Sequence, residues 1–224
     1  MTTMSTPANG ASELLDLAAG VFLLAAVAIL WLRDVAAQTR LLAVQGSALA
    51  AMAVVLGAEQ AHPELYAVAA GVGLLRAVVL PALLRRAVNA RAADRETRPL
   101  LNVGASLLTA AALVLLAYAV AQPLVRLEAT AAARALSVGL SVVLIGLLVL
   151  VTRRNALAQV VGFLLLDNGI TAIAFLAAAG VPLLVELGVS FDLLLVVLVL
   201  RVLTTRMRAV FGSADLDDLR ELRD

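Results

Sequence analysis

The sequence predicts an all-α, polytopic membrane fold of about seven transmembrane helices, on three observations. Hydrophobic residues make up 63% of the 224 residues, where a soluble domain has about half, and the mean hydropathy is +1.03. The excess falls in blocks of about 20 residues, the length that crosses a bilayer. The basic residues collect in alternate connections between those blocks, as they do when successive helices cross in opposite directions.

Taken in order, the blocks are 14–32, 41–58, 65–84, 100–121, 136–151, 156–179 and 182–203. In hydrocarbon each must be helical, because only a helix satisfies its own backbone groups. Residues 1–13 form a polar tail without Arg or Lys. A secretory signal begins with basic residues, so the first block is expected to be a retained helix. The fifth block is short as a span and is expected to begin near Ala131, with Arg134 snorkelling to the interface. This divides the chain into the tail (1–13), a four-helix region (14–121), a three-helix region (122–208) and a cytoplasmic tail (209–224).

Arg placement gives the orientation. One set of connections holds Arg33 and Arg40; Arg85, Arg86, Arg91, Arg95 and Arg98; Arg153 and Arg154; and Arg206 and Arg208. The opposite set holds Arg126, Arg134 and the acidic stretch 59–64. The Arg-rich side is expected to be cytoplasmic. That puts the N-terminus outside and the C-terminus inside. All 17 basic residues are Arg, and with the heavy use of Ala, Leu and Val this suggests a GC-rich bacterial genome, so a bacterial cytoplasmic membrane is expected.

Composition excludes several function classes. A net charge of +1 argues against a nucleic-acid partner. The chain has no Cys and a single His, His62, in a connection beside Pro63. That removes thiol and iron–sulfur chemistry and leaves no haem or zinc ligand set, so no cofactor or metal is expected. Two helices carry glycines seven apart, Gly139 with Gly146 and Gly162 with Gly169. Such spacing lets helices approach closely, and ordinary packing is the preferred reading. In the tail, Ser213 can cap a short helix whose Leu216, Leu219 and Leu222 share a stripe. A docking segment and a solvated terminus both remain open there.

Four charges fall inside the apolar blocks: Arg76 and Asp167 near the middle of theirs, Asp192 near the middle of the last, and Glu186 one turn into it. Asp16 and Arg201 lie close enough to block ends to snorkel. A charge at the bilayer centre costs roughly 2.5–3.5 kcal/mol to insert, and a Leu returns only about 0.6 kcal/mol. Such residues therefore face protein or water and usually have a task. A buried carboxyl is a candidate proton carrier, and an Arg about 4 Å away alters its proton affinity strongly, the pair being worth about 4 kcal/mol at an effective dielectric near 20. Asp167, Asp192 and Arg76 are thus the candidate relay, with Glu186 as an accessory acid. The alternative is a static ion pair, for instance Arg76 with Asp167, that only holds helices in register. Two local features bear on the site. Pro81 leaves the carbonyl of Ala77 without its helical donor and is expected to kink the third helix. Asp167-Asn168-Gly169 puts three poor helix formers together, which invites a bend or water entry.

The segment Arg153-Arg154-Asn155-Ala156-Leu157, then Gly162 and Leu166-Asp167-Asn168-Gly169, resembles hydrogenase-4 component E and the related three-helix K subunit of bacterial complex I. In both, an Arg-Asn turn leads into a helix with a mid-membrane carboxylate. Downstream, 182–189 and Asp192 resemble the next helix of that family, and Leu216-Asp217-Asp218-Leu219 also fits. Upstream, Ala58-Glu59-Gln60 and the stretch from Arg76 to Pro81 resemble hydrogenase-4 component E alone, so the likeness covers most of the chain. It is most specific over 152–224, the part similar to the complex I protein. The family usually has Glu where this chain has Asp167, and in complex I also at the position of Asp192; it often has Lys at the position of Arg76. Asp keeps the titratable group with a shorter reach, whereas Arg cannot release its proton.

The resemblance implies a membrane-arm subunit of a hydrogenase-4-like, formate hydrogenlyase-like or complex I-like oxidoreductase complex. Its partners would be antiporter-like and other membrane-arm subunits, hydrogenase-like cytoplasmic subunits and the lipid bilayer. No redox cofactor and no catalysis by the chain alone are implied. The residues leave two other readings: a purely structural linker in such a complex, and a stand-alone small transporter.

Overall fold

Among the described residues all regular structure is helical. The computed structural model describes residues 7–60, 63–89, 102–127, 130–153 and 156–177. All of them belong to the first of two compact units, Met1–Val189; the second, Ser190–Asp224, lies outside the described residues. The expected seventh helix (182–203), with Glu186 and Asp192, and the tail from 209 onward are outside them as well.

The helices are α1 (Pro7–Trp31), α2 (Val35–Gln60), α3 (Pro63–Val72), a π-helical segment (Gly73–Val79) running straight into α4 (Leu80–Asn89), α5 (Val103–Leu127), α6 (Ala131–Thr152) and α7 (Ala156–Ala177). With α3, the π segment and α4 taken as one rod, six spans are long and apolar enough to cross a membrane. Their starts follow local chemistry. Pro7 and Pro63 open α1 and α3, where a missing N–H and a fixed φ suit the first turn. Asp34 accepts from the backbone N–H groups of Ala36 and Ala37 at 3.2 Å each, capping α2. Asn102 Oδ1 accepts from Ala105 at 2.7 Å and Thr130 Oγ1 from Ala133 at 3.1 Å, capping α5 and α6. Helix α6 begins at Ala131, where the sequence places it.

Both local features show in the helices. Ahead of Pro81 the third span widens into the π segment, in which the N–H of Leu80 donates to the carbonyl of Leu75, five residues back. Pro81 has no N–H to offer the turn before it, and the wider turn takes up the mismatch. Asp167-Asn168-Gly169 lies inside α7, which is helical throughout from Ala156 to Ala177. Tertiary contacts override the weak propensities there: Gly169 is wedged against α6, and the two side chains before it bind Arg76.

Glycines set the closest helix approaches, as the packing reading expects. A Cβ on Gly146 would lie 2.5 Å from the backbone N of Leu166, and one on Gly169 2.7 Å from that of Val143. Gly162 and Gly139 meet the side chains of Val149 and Ile173 in the same way, so α6 and α7 seat almost backbone to backbone. Helix α1 lies along α2 and beside α6, α2 packs on α7 and on the π segment, and α5 covers one side of α6. Helix α5 is peripheral: 17% of its apolar window is buried, against 56% for α6 and α7.

Candidate functional site

Arg76 stands at the midpoint of the rod 63–89, and Asp167 close to the midpoint of α7. Packing brings the two together. Arg76 Nη2 lies 2.6 Å from Asp167 Oδ2; the Arg side chain is 1% exposed and that of Asp 16%. The same Nη2 donates to Thr171 Oγ1 at 2.7 Å, and Nη1 donates to Asn168 Oδ1. Thr171, one turn beyond Asp167, donates its hydroxyl to the Asp167 carbonyl at 2.9 Å. Asn168 passes the network on through Nδ2, which donates to Gln45 Oε1 at 2.8 Å. Gln45 Nε2 in turn faces the carbonyl of Phe22 at 3.4 Å. The cluster thus links the π segment to α7, α2 and α1 near the middle of the rod 63–89 and of α7.

Local structure explains the convergence. Gly46 presses on the backbone of Arg76: an added Cβ would lie 2.6 Å from the Arg76 carbonyl carbon. With no side chain on α2 at that point, the π segment comes close enough for its guanidinium to reach α7. Residues 167, 168 and 171 fall on one side of α7 at helical spacing. Gln45, Asn168 and Thr171 are all buried, so an unmade hydrogen bond there carries a full desolvation penalty.

Of the four residues singled out from the sequence, Arg76 and Asp167 come together, and Asp192 and Glu186 lie outside the described residues. Sequence reasoning missed Gln45 and Thr171, and treated Asn168 only as a poor helix former. The available signal was an uncharged amide inside the apolar block 41–58 and a hydroxyl one turn after Asp167. The discounted Asp16 is half exposed and pairs with Arg134 at 3.1 Å, near one end of α1 and α6. At the other end Arg153 is buried, and its Nη2 donates to the carbonyls of Leu30 and Leu32 at 3.1 and 3.2 Å. A cavity of about 630 Å³ opens near the α5–α6 connection; of its lining residues only Glu59 is charged.

Comparison with known proteins places this arrangement. The uncharacterized protein Rv0085 of Mycobacterium tuberculosis (strain ATCC 25618 / H37Rv) is 54% identical over 214 residues, 95% of this chain and 97% of its own. The chain belongs to the family of Rv0085. Hydrogenase-4 component E of Escherichia coli (strain K12) is 37% identical over 116 residues, and the same protein of Shigella flexneri matches equally. The chain is a homologue of hydrogenase-4 component E, which bears out the resemblance read from the sequence. That match spans 52% of this chain and about half the length of those relatives, 54%, a narrower stretch than the motifs suggested. No family model and no solved structure matches the chain. The six membrane-length helices among its described residues and this kinship make it a multi-pass membrane protein.

Proposed function

We propose that the chain is a cofactor-free, non-catalytic subunit in the membrane arm of a hydrogenase-4-like or complex I-like oxidoreductase complex of the bacterial cytoplasmic membrane. Within that complex Asp167 is a mid-membrane carboxylate on the path of a translocated proton or sodium ion. Arg76 modulates it electrostatically, Asp192 is the next carboxylate along, and Glu186 is an accessory acid. Antiporter-like membrane subunits and hydrogenase-like cytoplasmic subunits are its partners. The kinship with hydrogenase-4 component E supports the complex.

One observation supports the relay: a guanidinium sealed in protein near the middle of its rod, against a carboxylate whose side chain is 16% exposed. A pair that serves only as a clasp needs no approach for an ion, and burying it more deeply only raises its desolvation cost. A carboxylate that exchanges an ion needs an approach for that ion, and a cation that stays charged makes the exchange sensitive to small changes in their separation. The static reading also has an observation in its favour, since the cluster ties three helices together through Asn168 and Gln45.

Asp167→Asn separates the two. It keeps the shape and an acceptor for Arg76 but cannot exchange a proton. In the relay reading the complex assembles and turns over its redox substrate while ion translocation falls more than tenfold, and Asp167→Glu loses less. Normal pumping by an assembled Asp167→Asn complex would leave the static clasp as the function of the pair.

A further inference from the structure

Arginine is donor-only, with five N–H groups and no acceptor. That fixes the direction of every hydrogen bond leading away from Arg76. Asn168 must turn Oδ1 toward the guanidinium, which points its Nδ2 away, toward α2. A donor there needs an acceptor, and Gln45 supplies Oε1 at 2.8 Å. Gln45 is then left with Nε2 on its far side, facing the Phe22 carbonyl at 3.4 Å. The chain runs one way, from Arg76 through Asn168 and Gln45 to a backbone carbonyl of α1, and every side chain in it is buried. Thr171 completes the hold: Oγ1 accepts from Arg76 and donates to the Asp167 carbonyl, so its hydroxyl is also committed in one sense.

From this geometry we propose that Gln45, Asn168 and Thr171 are positioning residues that fix the Arg76 guanidinium independently of the charge on Asp167 and close the α1–α2 side of the site to ion exchange. Amide groups do not release protons at neutral pH, so the Asn168–Gln45 side conducts none. Exchange is left to Asp167, whose side chain is partly exposed while those of Arg76, Asn168 and Gln45 are buried. Because two neutral groups besides the carboxylate hold it, the guanidinium keeps its place when Asp167 takes up an ion. The field at Asp167 is therefore set by the fold, and it changes only when the helices move. This inference rests on the relay reading for its function, but its geometric content stands apart from that reading.

The test uses the assembled complex in vesicles. Three variants, Asp167→Asn, Thr171→Val and Gln45→Met, are compared for assembly, redox turnover and ions moved per turnover, and the Asp167→Asn complex is solved by cryo-electron microscopy. The guanidinium is expected to remain on Asn168 and Thr171 in Asp167→Asn. Thr171→Val and Gln45→Met should assemble and turn over but move about tenfold fewer ions, the scale of a lost hydrogen bond to a charged group for Thr171 and of a stranded buried amide donor on Asn168 for Gln45. Thr171→Ser should restore the loss. Adding Gln45→Met to Asp167→Asn should change nothing further, because both act at one place. Displacement of the guanidinium in Asp167→Asn overturns the proposal, and so does wild-type pumping by Thr171→Val and Gln45→Met. Wild-type pumping by Asp167→Asn alone defeats the relay reading, while the position of Arg76 in that variant still decides whether the anchor exists. Should Thr171→Val or Gln45→Met fail to assemble, that same position decides the matter.

Discussion

Removal of Arg76 strands more than its own charge. Asp167 loses its ion pair, and Asn168 and Thr171 lose the donor they face. Breaking a buried pair from one side costs about 3–5 kcal/mol. Arg76→Ala is therefore expected to lower the thermal stability of the detergent-solubilised subunit sharply and to reduce its incorporation into membranes. Lys carries the charge without the planar fork that reaches two groups at once. Arg76→Lys should recover part of the stability, and equal melting of the Ala and Lys variants would show that the fork, and not the charge, holds the site. At this scale the sequence was informative where residues violate the membrane's preference. A charge in mid-membrane stands out because hydrocarbon penalises it by several kcal/mol, which is how Arg76 and Asp167 are found without coordinates. Gln45 carries no charge and sits among Ala, Val and Leu, so only its depth marks it. Its partner on α7 is 123 positions away in the chain, and no local pattern links two amides at that separation.

Between helices, the decisive contacts are made by residues without side chains. Gly46 lets the π segment lie against α2, and the space a Cβ would need is taken by the backbone of Arg76. Gly46→Ala forces that segment outward, and overpacking of this kind costs about 1–3 kcal/mol. Gly20 lies inside α1 with nothing within 4 Å of its virtual Cβ, so Gly20→Ala is the matched control. The expected result is a lower melting temperature for Gly46→Ala and an unchanged or raised one for Gly20→Ala, since Ala is the better helix former. Equal behaviour of the two would mean that α2 and the rod 63–89 have room to part. The sequence makes the α6–α7 glycines legible through their seven-residue spacing, because both elements of that pair carry the signal. Gly46 has no glycine seven residues away on either side, and it meets Arg76 and Ala77 rather than Gly73, so no such periodicity announces it. The π segment is legible by half. Pro81 marks where hydrogen bonding must fail, but it does not say that the turn ahead of it widens, nor that Gly46 of another helix meets that turn.

Across the whole described bundle, two polar links show that α1 and α6 run parallel. Asp16 meets Arg134 near their N-terminal ends, and Arg153 holds the carbonyls of Leu30 and Leu32 at their C-terminal ends. The links differ in strength. The first is half exposed, and such pairs are worth about 0–1 kcal/mol. The second lies in a buried guanidinium that satisfies carbonyls the end of α1 leaves open. Arg153→Ala should therefore destabilise the subunit by about 1–3 kcal/mol, and Arg134→Ala should leave its melting unchanged within error.

The same parallel relation assigns the ends. The end of α1 that Arg153 binds is followed by Arg33 and Arg40, and the rod 63–89 reaches its own C-terminal end at Arg85 and Arg86. Alternation of the spans brings these arginines to one membrane face, and Arg126 and Arg134 to the other. Basic residues near helix ends are retained on the cytoplasmic side, so the face with Arg85 and Arg153 is expected to be inside. The chain lacks cysteine, which allows each position to be tested with one introduced thiol. In intact cells a membrane-impermeant maleimide should label Arg126→Cys and not Arg86→Cys, and both should react after the membrane is opened. Arg86→Cys is preferred to Arg153→Cys because Arg86 is exposed and Arg153 is buried. Labelling of Arg86→Cys from outside, with Arg126→Cys protected, would invert the topology. In the proposed relay it would also reverse the side from which an ion would reach Asp167 first, since the carboxylate stands near the midpoint of α7 and its sidedness follows from the helix ends alone.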